Sequence, residues 1–108
     1  MYNIYYNTED CGLTQIDVLD ENNLSYEFNT LLIVESTQSK KMYWAASSGC
    51  SCPTPFEEYH FRNDNDNDLN PLNIETLESF INEVKNFPAS VDERQRVIRK
   101  VKYRLKKR

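Results

Sequence analysis

Leu31-Leu32-Ile33-Val34-Glu35-Ser36-Thr37-Gln38-Ser39-Lys40-Lys41-Met42-Tyr43-Trp44-Ala45-Ala46 is the stretch that decides the fold. Successive side chains of a strand point to opposite faces, so four aliphatic residues in a row mark a central strand covered on both sides. Ser36 to Lys41 is a short polar connection, and Met42 to Ala46 returns as the partner strand of a hairpin.

Towards the N-terminus, Leu24 to Phe28 alternates between apolar and polar, and Asp20-Glu21-Asn22-Asn23 forms a turn cluster. Leu13 to Leu19 alternates imperfectly, with Leu13, Gln15, Asp17 and Leu19 on one side and Thr14, Ile16 and Val18 on the other. That pattern predicts a half-buried strand. The first dozen residues are polar and tyrosine-rich and suit a short extended segment or a loose turn. Towards the C-terminus, Asn63-Asp64-Asn65-Asp66-Asn67-Asp68 has no core-forming potential and is expected to be a solvated loop. Helical spacing then begins: Ile74, Leu77, Phe80, Ile81 and Val84 make one apolar stripe, with Asn73 as N-cap and Pro88 as terminator. Ser90-Val91-Asp92-Glu93 has the form of a capping box. Beyond it Val91, Ile98, Val101 and Leu105 form a second stripe that Val97 widens. Strands followed by helices predict an α+β fold, a small antiparallel sheet of three to four strands followed by two C-terminal helices. The expected organisation is one domain over 1–108. Residues 1–62 are mostly β with a Cys/Pro loop at 49–59, followed by a polar loop at 63–72, a helix at 73–87 and a basic helix at 90–107.

Composition narrows the class. A chain of 108 residues carries one modest core, and it contains no apolar run long enough to span a membrane. No basic-then-apolar leader opens it, so it is expected in the cytosol, where three cysteines stay reduced. Charge is unevenly spread. Residues 91–108 hold nine Lys or Arg against Asp92 and Glu93, whereas residues 1–90 hold four basic and fifteen acidic residues. A basic tail on an acidic body implies an internal electrostatic clamp or two surfaces with different partners.

Two constellations carry the candidate chemistry. Gly49-Cys50-Ser51-Cys52-Pro53-Thr54-Pro55-Phe56-Glu57-Glu58-Tyr59 concentrates cysteines, prolines and aromatics. Prolines reduce the entropy lost on binding and aromatics anchor interfaces, so Cys50, Cys52, Pro53, Pro55, Phe56, Glu57 and Tyr59 are candidate partner-binding residues. The competing reading is that Phe56 caps the core beneath the loop. Cys11, Cys50, Cys52 and His60 could supply a Cys₃His zinc site, although Cys-x-Cys is tighter than the usual knuckle spacing. A redox Cys-x-Cys pair lacks the following helix N-terminus that lowers a thiol pKa. Asp64, Asp66, Asp68 and Glu75 match acidic positions of a calcium loop, but Leu69 stands where glycine is needed. No nucleophile elbow, P-loop or dinucleotide fingerprint is present, and adjacent Glu57 and Glu58 would point to opposite faces of a strand. The expectation is a non-enzymatic protein without a cofactor.

The second constellation is the basic helix: Arg94, Arg96, Arg99, Lys100, Lys102, Arg104, Lys106, Lys107 and Arg108. Such residues grip nucleic-acid phosphates, or they dock onto the acidic body or an acidic partner protein.

Residues 12–59 resemble an uncharacterised family of small proteins encoded by tailed bacteriophages, mainly those of actinobacteria. The resemblance rests on Gly12-Leu13-Thr14, on Leu24-Ser25-Tyr26-Glu27-Phe28 leading into Leu31-Leu32-Ile33-Val34, and on Tyr43-Trp44-Ala45-Ala46-Ser47-Ser48-Gly49-Cys50-Ser51-Cys52-Pro53-Thr54-Pro55-Phe56-Glu57-Glu58-Tyr59. Where that family tends to carry an acidic residue before Ser-Gly-Cys, this chain has Ser47, and His60 lies outside the shared pattern. The resemblance implies a phage-encoded accessory protein in the host bacterial cytoplasm. It names no activity. The partner expected is a host protein, with nucleic acid as the alternative and no membrane.

Overall fold

The computed structural model describes residues 3–21, 27–50 and 55–107, with Cys50 described in its backbone alone. Strands β1 (Leu13–Asp20), β2 (Glu27–Ser36) and β3 (Met42–Cys50) lie side by side, and β2 and β3 pair without a break from Glu27 opposite Cys50 to Glu35 opposite Met42. Short strands β4 (Phe61–Asn63) and β5 (Asp66–Asn67) form a separate two-stranded ribbon. Strand β6 (Asn70–Leu72) adds to the free edge of β3, giving an antiparallel sheet in the order β1-β2-β3-β6. Helices α1 (Leu77–Asn86) and α2 (Val91–Lys106) follow, so the α+β arrangement is as the sequence implies.

The sheet is the middle layer. On one face Leu31, Ile33 and Met42 meet Phe80, Val84 and Phe87 and then Val97, Val101 and Leu105 of α2. On the other, Leu32, Val34, Tyr43 and Ala45 meet Ile4, Phe56 and Leu69. The continuous Leu31–Val34 run thus alternates between two cores, which is why no polar residue interrupts it.

One register irregularity corrects the reading of β1. The ladder pairs Gln15 with Val34 and Asp17 with Ile33, so one residue is extra on β1. A bulge of this kind reverses the inside-outside order beyond it. Leu13 and Leu19 therefore face opposite cores, where plain alternation puts them together. Asp17 is turned to the helix side, opposite Ile33.

The polar segment 63–72 also differs from expectation. It holds β5 and β6, and Leu69 and Leu72 are buried. Asn and Asp side chains substitute for apolar packing in stabilising its turns: the Asn65 N–H donates to Asn63 Oδ1 at 2.8 Å and the His60 N–H to Asp68 Oδ1 at 2.8 Å. Asp64 is tied to the sheet, accepting from the Tyr43 hydroxyl at 2.6 Å and the Ser36 hydroxyl at 3.1 Å.

Helix starts follow their caps. Asn73 and Thr76 hydrogen-bond each other's backbone N–H groups at 3.0 Å, closing a turn before α1. The helix consequently begins at Leu77, four residues beyond the expected start, and Ile74 is 75% exposed instead of joining the apolar stripe. At α2 the Ser90 hydroxyl accepts the Glu93 N–H at 3.1 Å, the bond a capping box requires, while Val91 remains exposed. The 3₁₀ turn Glu9–Cys11 ends at Gly12, whose φ of +80° is strained for residues with a side chain.

Candidate functional site: a basic helical face

Helix α2 divides its cations between two tasks. Val97, Val101 and Leu105 face the sheet, and the residues flanking that stripe turn back onto the body. Arg96 reaches Asp17 at 3.1 Å and Lys100 reaches the same carboxylate at 3.3 Å, so the bulge in β1 is what presents their shared acceptor. One turn further, Arg104 lies 3.4 Å from Glu35 on β2. At the other end, the Arg94 guanidinium donates to the Lys85 carbonyl near the C-terminus of α1. These four residues dock the helix. Their half-exposed heads are screened, so each pair contributes well under about 1 kcal/mol, but together they fix which way the cylinder is turned.

Arg99, Lys102 and Lys106 remain. They lie at i, i+3 and i+7, on the side of α2 opposite Val97 and Val101, and all three are exposed. Among the described residues none has an ion-pair partner. Beside them Lys107 sits 4.7 Å above the ring of Tyr103, itself 59% exposed. Arg108 lies outside the described residues.

The fold also brings a distant cation to this helix. Lys40, held at φ +65° in the β2–β3 connection, closes one end of a groove of about 540 Å³ whose other walls are Glu35, Lys100, Tyr103, Arg104 and Lys107. Four cations and one aromatic ring surround a single carboxylate, so the groove is strongly electropositive within an acidic protein. Sequence reasoning missed Lys40 because about fifty residues separate it from the start of α2. Only the pairing of β2 with β1, and of β1 with the helix, places it there.

The described end of the Cys/Pro loop, residues 55–59, packs onto the body. Phe56 is fully buried, so it caps the core and offers no exposed anchor. Its backbone is left-handed at φ +65°, and its N–H donates 3.1 Å to Ser47 Oγ, whose hydroxyl donates on to Glu58. The Asn3 amide donates to the Pro55 carbonyl at 2.7 Å, and the Tyr59 hydroxyl donates to the Ala46 carbonyl at 2.8 Å. Phe56 and Tyr59 therefore close the sheet face opposite the helices, and Glu57 and Glu58 are exposed. Cys52, Pro53 and the Cys50 side chain lie outside the described residues.

Of the four zinc candidates, only Cys11 and His60 have described side chains. Cys11 packs against the second core, where burial and then the charge of Asp10 push its thiol up. His60 turns Nε2 to Asp66 at 3.2 Å and Nδ1 to Asp68 at 3.4 Å. Among the described residues no three His, Cys, Asp or Glu side chains assemble as a metal site. The calcium-loop carboxylates also diverge, with Asp64 bonded to Tyr43 and Ser36 and Asp66 and Asp68 beside His60.

A second cleft of about 590 Å³ opens beside Tyr43, Asp64, Leu72, Ile74 and Leu105. Burial, and then the hydrogen bond to Asp64, push the Tyr43 hydroxyl up to about 12. Burial alone would raise Asp64. Hydrogen bonds from Tyr43, Ser39 and Ser36 and the Lys41 charge outweigh it and hold the carboxyl below its ordinary value. The pair is a satisfied structural link between β3 and the ribbon.

Fold and site together define a small α+β protein with a helix-covered antiparallel sheet and one basic helical face. The chain belongs to the family described as Domain of unknown function (DUF7574), which matches residues 2–108. No curated protein and no solved structure matches it. Among the described residues no helix is long and apolar enough to cross a membrane.

Proposed function

We propose that this chain is a non-enzymatic binding protein that holds an anionic macromolecule on the outer face of α2. The observation that carries the reading is the division of labour along the helix: Arg96, Lys100 and Arg104 pair with the body, whereas Arg99, Lys102 and Lys106 face outward without ion-pair partners among the described residues. The aromatics of the 55–59 segment are committed to the core, which favours the helix over the loop as the contact surface. The Gly-Cys-Ser-Cys-Pro resemblance supports a phage-encoded accessory protein acting in the cytoplasm of its bacterial host, on a host macromolecule.

Capture from bacterial lysate with the tagged chain tests this, using the R99E/K102E/K106E variant as control. Material held by the wild type and released by the variant is the expected result. Capture unchanged by the three reversals would move the site elsewhere. Nuclease treatment separates the two kinds of partner: a nucleic acid disappears, and a host protein bound directly stays.

A further inference from the structure

The groove beside Tyr103 points to a narrower ligand class. We propose that the basic face binds single-stranded nucleic acid, DNA or RNA, with one base stacked on Tyr103 and the adjoining phosphates held by Lys40, Lys107 and the outward stripe of Arg99, Lys102 and Lys106. The inference rests on the reading of α2 as an anion-binding face and specifies what the anion is.

Three features carry it. First, Tyr103 is an exposed aromatic ring within the cationic patch, at the wall of a groove that also holds Lys40, Lys100, Arg104 and Lys107. Acidic polypeptide would need the cations but not the ring. Bases of any sequence stack on an aromatic face while basic residues follow the backbone, the usual division in single-strand binding. Second, the ring already carries a cation, the Lys107 ammonium 4.7 Å from its centroid. That ammonium sits in the last turn of the helix, on a long flexible stem, and can exchange the ring for the phosphate of the stacked nucleotide. Third, the footprint is small. The positive surface covers the C-terminal turns of α2 and the Lys40 turn, while Asp92 and Glu93 occupy the start of the helix and Glu35 lies within the groove. A duplex has its bases closed to Tyr103 and would bring further phosphates towards the acidic body. A single strand can follow the groove and splay one base out.

The groove volume of about 540 Å³ falls in the range of sites that hold a small-ligand-sized group. Glu35 is not an obstacle, because Arg104 stands 3.4 Å from its carboxylate.

Fluorescence anisotropy with labelled single-stranded DNA, single-stranded RNA, duplex DNA and polyglutamate tests the proposal at stepped salt. Both single strands are expected to bind at least about tenfold tighter than the duplex or polyglutamate, with affinity falling as salt rises. Tyr103→Ala should weaken single-strand binding roughly 5- to 150-fold with an unchanged salt slope, and Tyr103→Trp should restore it. Because the ring is mostly exposed and alanine favours helix, the fold should survive, which circular dichroism checks. Equal or tighter duplex binding, or an indifferent Tyr103→Ala, overturns the single-strand assignment and leaves the basic face standing. Polyglutamate binding tighter than any oligonucleotide assigns the face to acidic protein instead. Failure of every polyanion to bind removes both readings.

Discussion

Truncating Phe56 distinguishes a core cap from a partner anchor. The side chain is fully buried between Tyr5 and Tyr59, with ring centroids 5.5 and 5.8 Å away. Phe→Ala at such a site removes transfer free energy and leaves a cavity, about 3–5 kcal/mol together. A domain of this size has about 5–15 kcal/mol in total, so the change removes a large share of it. With a urea m-value of about 1–2 kcal/mol/M, the unfolding midpoint should fall by roughly 1.5 M or more. The backbone adds a second signature. At φ +65° an alanine remains strained and a glycine does not, so Phe56→Gly should be more stable than Phe56→Ala by roughly 1 kcal/mol, reversing the usual order. Equilibrium urea unfolding followed by tryptophan fluorescence measures both, since Trp44 is the only tryptophan. A loss below about 1 kcal/mol for Phe56→Ala would refute the burial argument, and alanine above glycine would refute the left-handed backbone.

Other expectations concern how the helix is docked and how the second cleft responds to pH. Asp17→Asn removes the negative charge that Arg96 and Lys100 share and should lower stability by about 1 kcal/mol, or roughly 4–8 °C in Tm; a loss that does not shrink in high salt would argue against ion pairing. Native Tyr43 keeps its proton until about pH 12, whereas the unfolded chain loses it near 10. The stability that this difference contributes is complete below about pH 10 and is lost between about 10 and 12. Tyr43→Phe should flatten that alkaline decline in a Tm-against-pH series, and an equally steep decline in the variant would contradict it.

Much of the architecture could be read from the chain because its strongest signals are local. Leu31–Val34 needs two covered faces, and the Ser90 cap and the Pro88 terminator act within a turn of where they stand. The bulge at Gln15–Asp17 was not legible: one extra residue changes no composition, yet it decides which side Asp17 faces. Segment 63–72 was misread for a related reason. Its turns are closed by Asn and Asp side chains, which a hydrophobic pattern does not register. The basic residues of α2 were visible as a group, but their division was not. Docking acceptors come from β1 and β2, so neither the paired set nor the free stripe exists until the sheet is assembled.

The most direct measurement is a salt-stepped titration of a labelled single-stranded oligonucleotide into the wild type and the R99E/K102E/K106E variant, with Tm recorded for both. Solvent-facing substitutions should leave stability within a few degrees, and the wild-type plot of log affinity against log salt should slope downward. Loss of binding by the variant at unchanged Tm is the result predicted; where weak binding persists, its slope should be shallower by roughly 2, about 0.7 for each contact removed. Equal affinity and equal slope in the two proteins would contradict the assignment of the outer face of α2 as the binding surface.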